Sequence, residues 1–329
     1  MENMKVVLIG ASGLLGHNVL LRLLGEGYEV RVLVRRPDAV RLPQGNWQTV
    51  VGNPTDRSTL LAAAEGCQAL VNCAGVTDMS LLRYDDYLSV NRDLCGLLVE
   101  AMEHWGIDTL VHTSTVNTIG YGLPARPADE QVPMQAPFLQ SGYASSKREG
   151  EELLMAAARR HTDWHLVIIN PGFMLGAWDV KPSSGRLLQL AYRHAVAFAP
   201  KGGKAFVHVE DVAEAEVNAL TRGRNGERYI VVNDNGCFSI KQLYRMQARV
   251  MGYRQWVMEI PKWLWQLIGR VGDLLRTMGV QVEASTCNIR QMMVQEHYTR
   301  HKADEELGGT VRTIEQAIVD FHKWREKKQ

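Results

Sequence analysis

The chain has 329 residues, 46% of them hydrophobic, which is enough to bury a full core in one large domain or in a domain carrying a smaller partner. Its 37 Lys and Arg balance 36 Asp and Glu to a net charge of +1, so no whole-molecule field favours nucleic acid or an anionic membrane, and small molecules are the expected partners. Cys67, Cys73, Cys95, Cys237 and Cys287 form no CxxC pair and no Cys/His cluster, which argues against a metal site and suits a reducing cytoplasm.

Met1 to Ile9 runs straight into an apolar strand, without room for a secretory leader. Strands are predicted at Lys5–Ile9, Glu29–Val34, Trp47–Val51, Ala69–Cys73, Thr109–Thr113, Trp164–Ile169 and Tyr229–Asn233. Helices are predicted between them at Leu14–Leu24, Thr59–Ala64, Tyr87–His104 and Tyr143–Arg160. Short apolar runs alternating with helix-length segments are the pattern of buried parallel strands and their crossovers. The expected fold is therefore α/β, a doubly wound, Rossmann-like parallel sheet.

The alternation fails after Asn170-Pro171-Gly172, where Pro182, Pro200 and Gly202-Gly203 punctuate the chain. Residues 1–170 and about 204–234 are assigned to the sheet domain. Residues about 171–203 and 235–329 are assigned to a smaller, interleaved lobe over the carboxyl ends of the strands, where such sheets hold ligand. Ile260 to Val280 is too polar to span a membrane and reads as an amphipathic helix pair. Its stripe of Trp263, Leu264, Leu267, Ile268, Val271, Leu274 and Leu275 is expected to be buried, as a cover over the ligand.

Gly10-Ala11-Ser12-Gly13-Leu14-Leu15-Gly16 lies between the first strand and the first helix, where backbone N–H groups and the helix dipole meet a pyrophosphate. Gly10 permits the tight turn, Gly13 the close phosphate approach and Gly16 the packing of helix on sheet. The first unit is thus read as a dinucleotide-binding domain. Its second strand ends Val34-Arg35-Arg36-Pro37, with no carboxylate for a ribose 2′-hydroxyl. Arg35 and Arg36 suit a 2′-phosphate instead, so NADP(H) is the preferred cofactor, with NAD(H) the alternative.

Tyr143 and Lys147 stand four residues apart, one turn along the same helical face. A phenol with an ordinary pKa near 10 is a poor base at neutral pH, and a neighbouring cation is expected to stabilise its phenolate. Tyr143 then exchanges a proton with a substrate oxygen. Thr113-Ser114-Thr115, at the carboxyl end of the fifth strand, supplies a hydroxyl to orient a carbonyl; either Ser114 or Thr115 fits.

Gly10–Gly16, Val71-Asn72-Cys73-Ala74-Gly75, Thr113-Ser114-Thr115, Tyr143 with Lys147, and Asn170-Pro171-Gly172 occur in one order and spacing. In this the chain resembles the extended short-chain dehydrogenase/reductases, and within them the dihydroflavonol reductase and 3β-hydroxysteroid dehydrogenase branch. The resemblance implies a hydride-transferring enzyme with Thr115, Tyr143 and Lys147 as catalytic set. It implies cofactor contacts from Gly10, Ser12, Gly13, Leu14, Leu15 and Gly16, and from Cys73, Ala74 and Gly75. Further contacts are implied from Pro171, Gly172, Phe173 and Met174. The family's adenine-contacting acid is replaced in Gly52-Asn53-Pro54, so Asn53 and Pro54 are carried over with an amide in place of the carboxylate. Asn91 matches a family asparagine and is read as structural. The resemblance also implies a homodimer through the helices Tyr87–His104 and Tyr143–Arg160.

The expected substrate is an apolar ketone or alcohol. Nucleotide-sugar epimerisation with a retained cofactor is the alternative; Arg186, Arg222, Arg224 or Arg228 would supply the cations for a sugar diphosphate. Dehydration is disfavoured, because Val116-Asn117 stands where a dehydratase carries an Asp-Glu pair. A non-catalytic NADP(H) sensor would have no need of the Tyr143 and Lys147 pair.

Overall fold

A computed structural model describes residues 4–40, 45–180, 184–233 and 237–327. In chain order the first elements are β1 (Lys5–Ile9), α1 (Leu14–Gly25), β2 (Glu29–Val34), β3 (Trp47–Val51), α2 (Arg57–Ala64) and β4 (Ala69–Asn72). Helix α3 (Asp85–Leu88) runs through a π turn at Ser89–Asp93 into α4 (Leu94–Trp105), followed by β5 (Thr109–Thr113), α5 (Gly142–Arg160) and β6 (His165–Pro171). Next come β7 (Phe173–Leu175), α6 (Gly185–Ala191), β8 (Val196–Ala199), β9 (Gly203–His208), α7 (Val209–Asn218) and β10 (Glu227–Val231). The chain ends with β11 (Cys237–Ser239), α8 (Ile240–Val250), β12 (Trp256–Glu259), α9 (Lys262–Thr277), α10 (Thr286–Met292), α11 (His301–Glu306) and α12 (Ile314–Glu326).

Seven parallel strands form one sheet in the order β10-β6-β5-β4-β1-β2-β3. Strand order reverses between β1 and β4, and an open α/β sheet binds ligand at such a switch point. Residues on alternate sides of β1 explain its continuous apolar run. Val6 and Leu8 pack with α1 and α7, while Val7 and Ile9 pack with α2, α4 and α5. Both faces are covered, so polar alternation has no place in the strand.

The smaller lobe is built from a three-stranded sheet, β11-β9-β7, a parallel pair, β12 with β8, and helices α6, α8, α9, α10 and α12. Three expectations change here. Strand β9 pairs with β7 and β11 rather than joining the large sheet, since β7 follows β6 after only Gly172 and carries the chain out of that sheet. The division at residues 234–236 and Pro182 lie outside the described residues. The expected helix pair in 260–280 is one helix, α9, and its apolar stripe is split: Trp263, Leu267, Val271 and Leu274 are exposed, while Leu264, Ile268 and Leu275 are half-buried. The helix docks instead through Gly269 and Gly272, where any side chain would collide with the backbone of Ala284 or Thr286.

Candidate active site

The turn after β1 brings two loops of the switch point together. Gly10 has φ +89°, and a Cβ there would stand 2.7 Å from the Ala74 nitrogen and the Cys73 carbonyl carbon. Gly16 would place a Cβ 2.2 Å from the Gly10 oxygen, so both positions exclude any side chain. At Gly13 the nearest such atom is 3.4 Å away, which leaves the mouth of the loop and the amino terminus of α1 open. That cradle fits a dinucleotide pyrophosphate. Arg35 and Arg36 are exposed beyond β2, beside Gly52, whose N–H donates to the Val34 carbonyl at 2.8 Å. Asn53 is exposed and its side chain accepts from the Thr55 N–H; Asp56 caps α2 through Ser58 and Thr59, which hold its carboxyl down at about 2.

Lys147 is 3% exposed, and its Nζ donates to the Thr113 carbonyl at 2.9 Å and the Ala74 carbonyl at 3.2 Å. Burial lowers its pKa, opposed by Cys95 and the Glu151 carboxylate. A Cβ at Gly75 would press on Lys147 at 3.2 Å, so glycine there makes room for the ammonium. One turn earlier on α5, burial pushes the Tyr143 phenol up to about 12, and a hydrogen bond from Thr115 opposes the shift. The opposing influence therefore comes from Thr115 rather than from Lys147, whose protons are directed at two carbonyls.

The three hydroxyls at the end of β5 separate clearly. Thr113 Oγ1 donates to Glu216 Oε1 at 2.5 Å and is structural. Ser114 Oγ is buried without a hydrogen-bond partner, and Thr115 faces Tyr143. Asn91 is buried and structural: its amide holds both the N–H and the carbonyl of Val76, and donates to Ser146 Oγ. The strand continuation Pro171 to Met174 passes from β6 to β7, where the Gly172 N–H donates to Val231. A cleft of about 530 Å³ opens beside the first turn of α5, lined among others by Met79, Leu81, Tyr87, Ser145 and Arg276. Its lining does not reach Tyr143 or Thr115.

Buried charges behind the site were not foreseen. Glu216 on α7 is raised to about 8 by burial, with the Thr113 hydroxyl and Lys147 opposing. Glu151, one turn beyond Lys147, accepts from Thr118 and Asn170 at 2.7 Å each. His112 is neutral in the core, held well below its ordinary pKa by burial and by Lys147, with Nδ1 3.1 Å from the Asn72 amide. In sequence, Glu216 and Glu151 look like any helical glutamate; only a face buried against β5 distinguishes them.

The four arginines proposed for a sugar diphosphate all have partners within the protein, Arg186 and Arg224 in exposed ion pairs. Arg186 pairs with Glu283 at 2.5 Å, and Arg222 donates to the Leu307 carbonyl at 2.8 Å. Arg224 holds both oxygens of Glu306, and Arg228 lies 3.5 Å from Glu151 and donates to the Glu130 carbonyl.

These features define a class, and comparison agrees: residues 6–233 match the NAD dependent epimerase/dehydratase family, and the chain belongs to it. It is an enzyme family that uses nicotinamide cofactors, and the chain falls in its extended short-chain reductase branch. Among individual relatives, a putative dihydroflavonol 4-reductase of Synechocystis is 28% identical over 326 residues, covering 96% of this chain and 92% of that protein. A 4-hydroxy-2-methyl-3-oxo-4-farnesyl-3,4-dihydroquinoline-1-oxide ketoreductase of Stigmatella aurantiaca is 28% identical, covering 96% and 95%. The UDP-glucose 4-epimerase of Thermotoga maritima, solved with UDP-glucose, shares the fold at TM-score 0.77 and 16% identity, covering 99% of both chains. Among the described residues, no helix is long and apolar enough to cross a membrane, and no group of three or more His, Cys, Asp or Glu is placed to hold a metal.

Proposed function

We propose that the protein is an NADP(H)-dependent oxidoreductase that reduces an apolar ketone, with Tyr143 as proton donor. The observation that carries this reading is the placement of Tyr143 beside Thr115 and one helical turn from the buried Lys147. At neutral pH a phenol is protonated with or without the upward shift that burial adds, and it can donate to a carbonyl oxygen as hydride arrives. The bound nicotinamide supplies the hydride. Thr115 orients the carbonyl together with the phenol, Lys147 ties α5 to the Ala74 and Thr113 backbones, and the Gly10–Gly16 loop seats the pyrophosphate. Arg35 and Arg36 select the 2′-phosphate.

Arg222 and Arg228 are committed to the Leu307 and Glu130 carbonyls, and Arg186 and Arg224 to surface carboxylates, which weighs against the nucleotide-sugar reading. The ketoreductase relative supports a ketone substrate. All five cysteines are free thiols, consistent with a reducing cytoplasm, where we place the protein. We assign the homodimer to the outer faces of α4 and α5, where Leu153 is exposed and Leu97 half-buried; Leu94, Leu98 and Ala101 of the expected stripe are consumed by the core.

The test is a panel of apolar ketones and nucleotide sugars with NADPH, following cofactor consumption and product identity for the wild type and Tyr143→Phe. Loss of a general acid lowers turnover by about 10²–10⁴, and cofactor affinity should survive. A loss below about threefold, or turnover of nucleotide sugars alone, refutes the reading.

A further inference from the structure

A helix on the surface of a globular protein ordinarily turns its apolar stripe to the core and its polar side to water. Helix α9 carries apolar residues on both sides: Leu264, Trp265, Ile268 and Leu275 are half-buried against the protein, and a second apolar row is left in solvent. Its inner edge is Gly269 and Gly272, held by Asp273, which accepts from the Thr286 N–H at 3.0 Å, and by Arg276, which donates to the Val282 and Ser80 carbonyls. On the outer face stand Trp263, Leu267, Val271, Leu274 and Met278, with Trp263 65% and Met278 70% exposed. At about 100° per residue these five fall within one arc of about 80°.

The strand leading into the helix repeats the pattern. In the β8/β12 pair, Val196 is in register with Trp256 and Phe198 with Met258. All four are exposed, Trp256 by 77%, while Ala197 and Ala199 face inward. Single exposed apolar residues need no explanation, but paired ones on a strand followed directly by a full helical stripe mark an interaction surface.

Its charge selects the occupant. Arg193, Lys201, Arg254, Lys262 and Arg270 are exposed on the same segments, and none forms an ion pair among the described residues. The one exposed carboxylate on them, Glu259, lies 3.8 Å from Lys241. A second copy related by a two-fold axis would set this cationic surface against itself, with Glu259 the one exposed acid against five unpaired cations on each copy. An anionic lipid surface meets both requirements. It takes the tryptophan and leucine stripe into the acyl boundary and the Lys and Arg rim at the headgroups.

We infer that the small lobe docks, through α9 and the β8/β12 face, on an anionic lipid bilayer surface without crossing it. The net charge of +1 conceals this because acids elsewhere balance a local excess of cations.

The experiment is co-sedimentation of the full-length protein with phosphatidylcholine vesicles, with and without phosphatidylserine, in parallel with sedimentation velocity in the absence of lipid. Phosphatidylserine should raise the bound fraction at least about tenfold at low salt, and added salt should reverse the gain. The triple variant Trp263→Gln, Leu267→Gln, Val271→Gln should lose binding to both vesicles. Lys262→Gln with Arg270→Gln should lose only the phosphatidylserine dependence. All five positions are solvent-exposed, and circular dichroism checks that the fold is intact. Absence of binding, binding that the triple variant leaves unchanged, or a lipid-free oligomer that the triple variant dissolves each overturns the proposal; the last would assign the face to a second copy.

Discussion

Glu216 offers the most direct test of the buried charge network, because it needs no substrate. Its carboxyl is lifted from 4.5 to about 8 by burial, with one oxygen 2.5 Å from Thr113 Oγ1 and the other without a partner. Between pH 5 and 8 the folded protein therefore holds a proton that the unfolded chain has released. A raised carboxyl pKa gives stability that is full below the unfolded value and is lost as pH rises through the folded one. The slope is at most about 1.4 kcal/mol per pH unit, so up to about 4 kcal/mol disappears across that window. Glu216→Gln keeps an oxygen for the Thr113 hydroxyl and removes the titration. His112, held neutral by burial, works in the opposite sense as pH falls through its ordinary range, so the difference between wild type and variant isolates Glu216. In urea titrations at pH 5, 7 and 9, the variant should gain on the wild type as pH rises. With a slope of a few kcal/mol per molar urea, the midpoints should separate by about 1 M or more at pH 9. Midpoints that run parallel with pH would refute the assignment of a protonated, buried Glu216.

Three further outcomes follow from the site. NADPH should bind about one to two orders of magnitude more tightly than NADH by calorimetry, and Arg35→Ala with Arg36→Ala should erase the difference; equal affinities in the wild type would remove the role of these arginines. Lys147→Met should lower both turnover and cofactor affinity, because it frees the Thr113 and Ala74 carbonyls that the ammonium ties to α5; a variant binding NADPH normally would confine Lys147 to the chemical step. Light scattering should give twice the 36.9 kDa monomer mass, and the monomer mass would withdraw the α4/α5 interface.

Sequence periodicity alone determined the large sheet. The central strands β1, β4, β5 and β6 lie between helices that cover them, so they had to be apolar on both sides, and their ends were marked by Gly10, Asn72, Thr113 and Pro171; the edge strand β3 keeps Gln48, Thr49 and Val51 exposed. The glycines of the first loop could be assigned for a local reason: Gly10 adopts a positive φ, and neither Gly10 nor Gly16 has room for a side chain. Tyr143 and Lys147 were readable because four residues on a helix make one face. Tertiary structure decided the rest. That Lys147 spends its protons on Ala74 and Thr113, that Thr115 rather than Ser114 meets the phenol, and that Glu216 stays protonated all depend on contacts between residues 28 to 103 positions apart. The stripe on α9 shows the limit most sharply. Periodicity identifies apolar residues, but which of them meet solvent is set by Gly269 and Gly272, whose close fit against the 284–286 backbone leaves Trp263, Leu267, Val271 and Leu274 outward and Leu264, Ile268 and Leu275 half-buried.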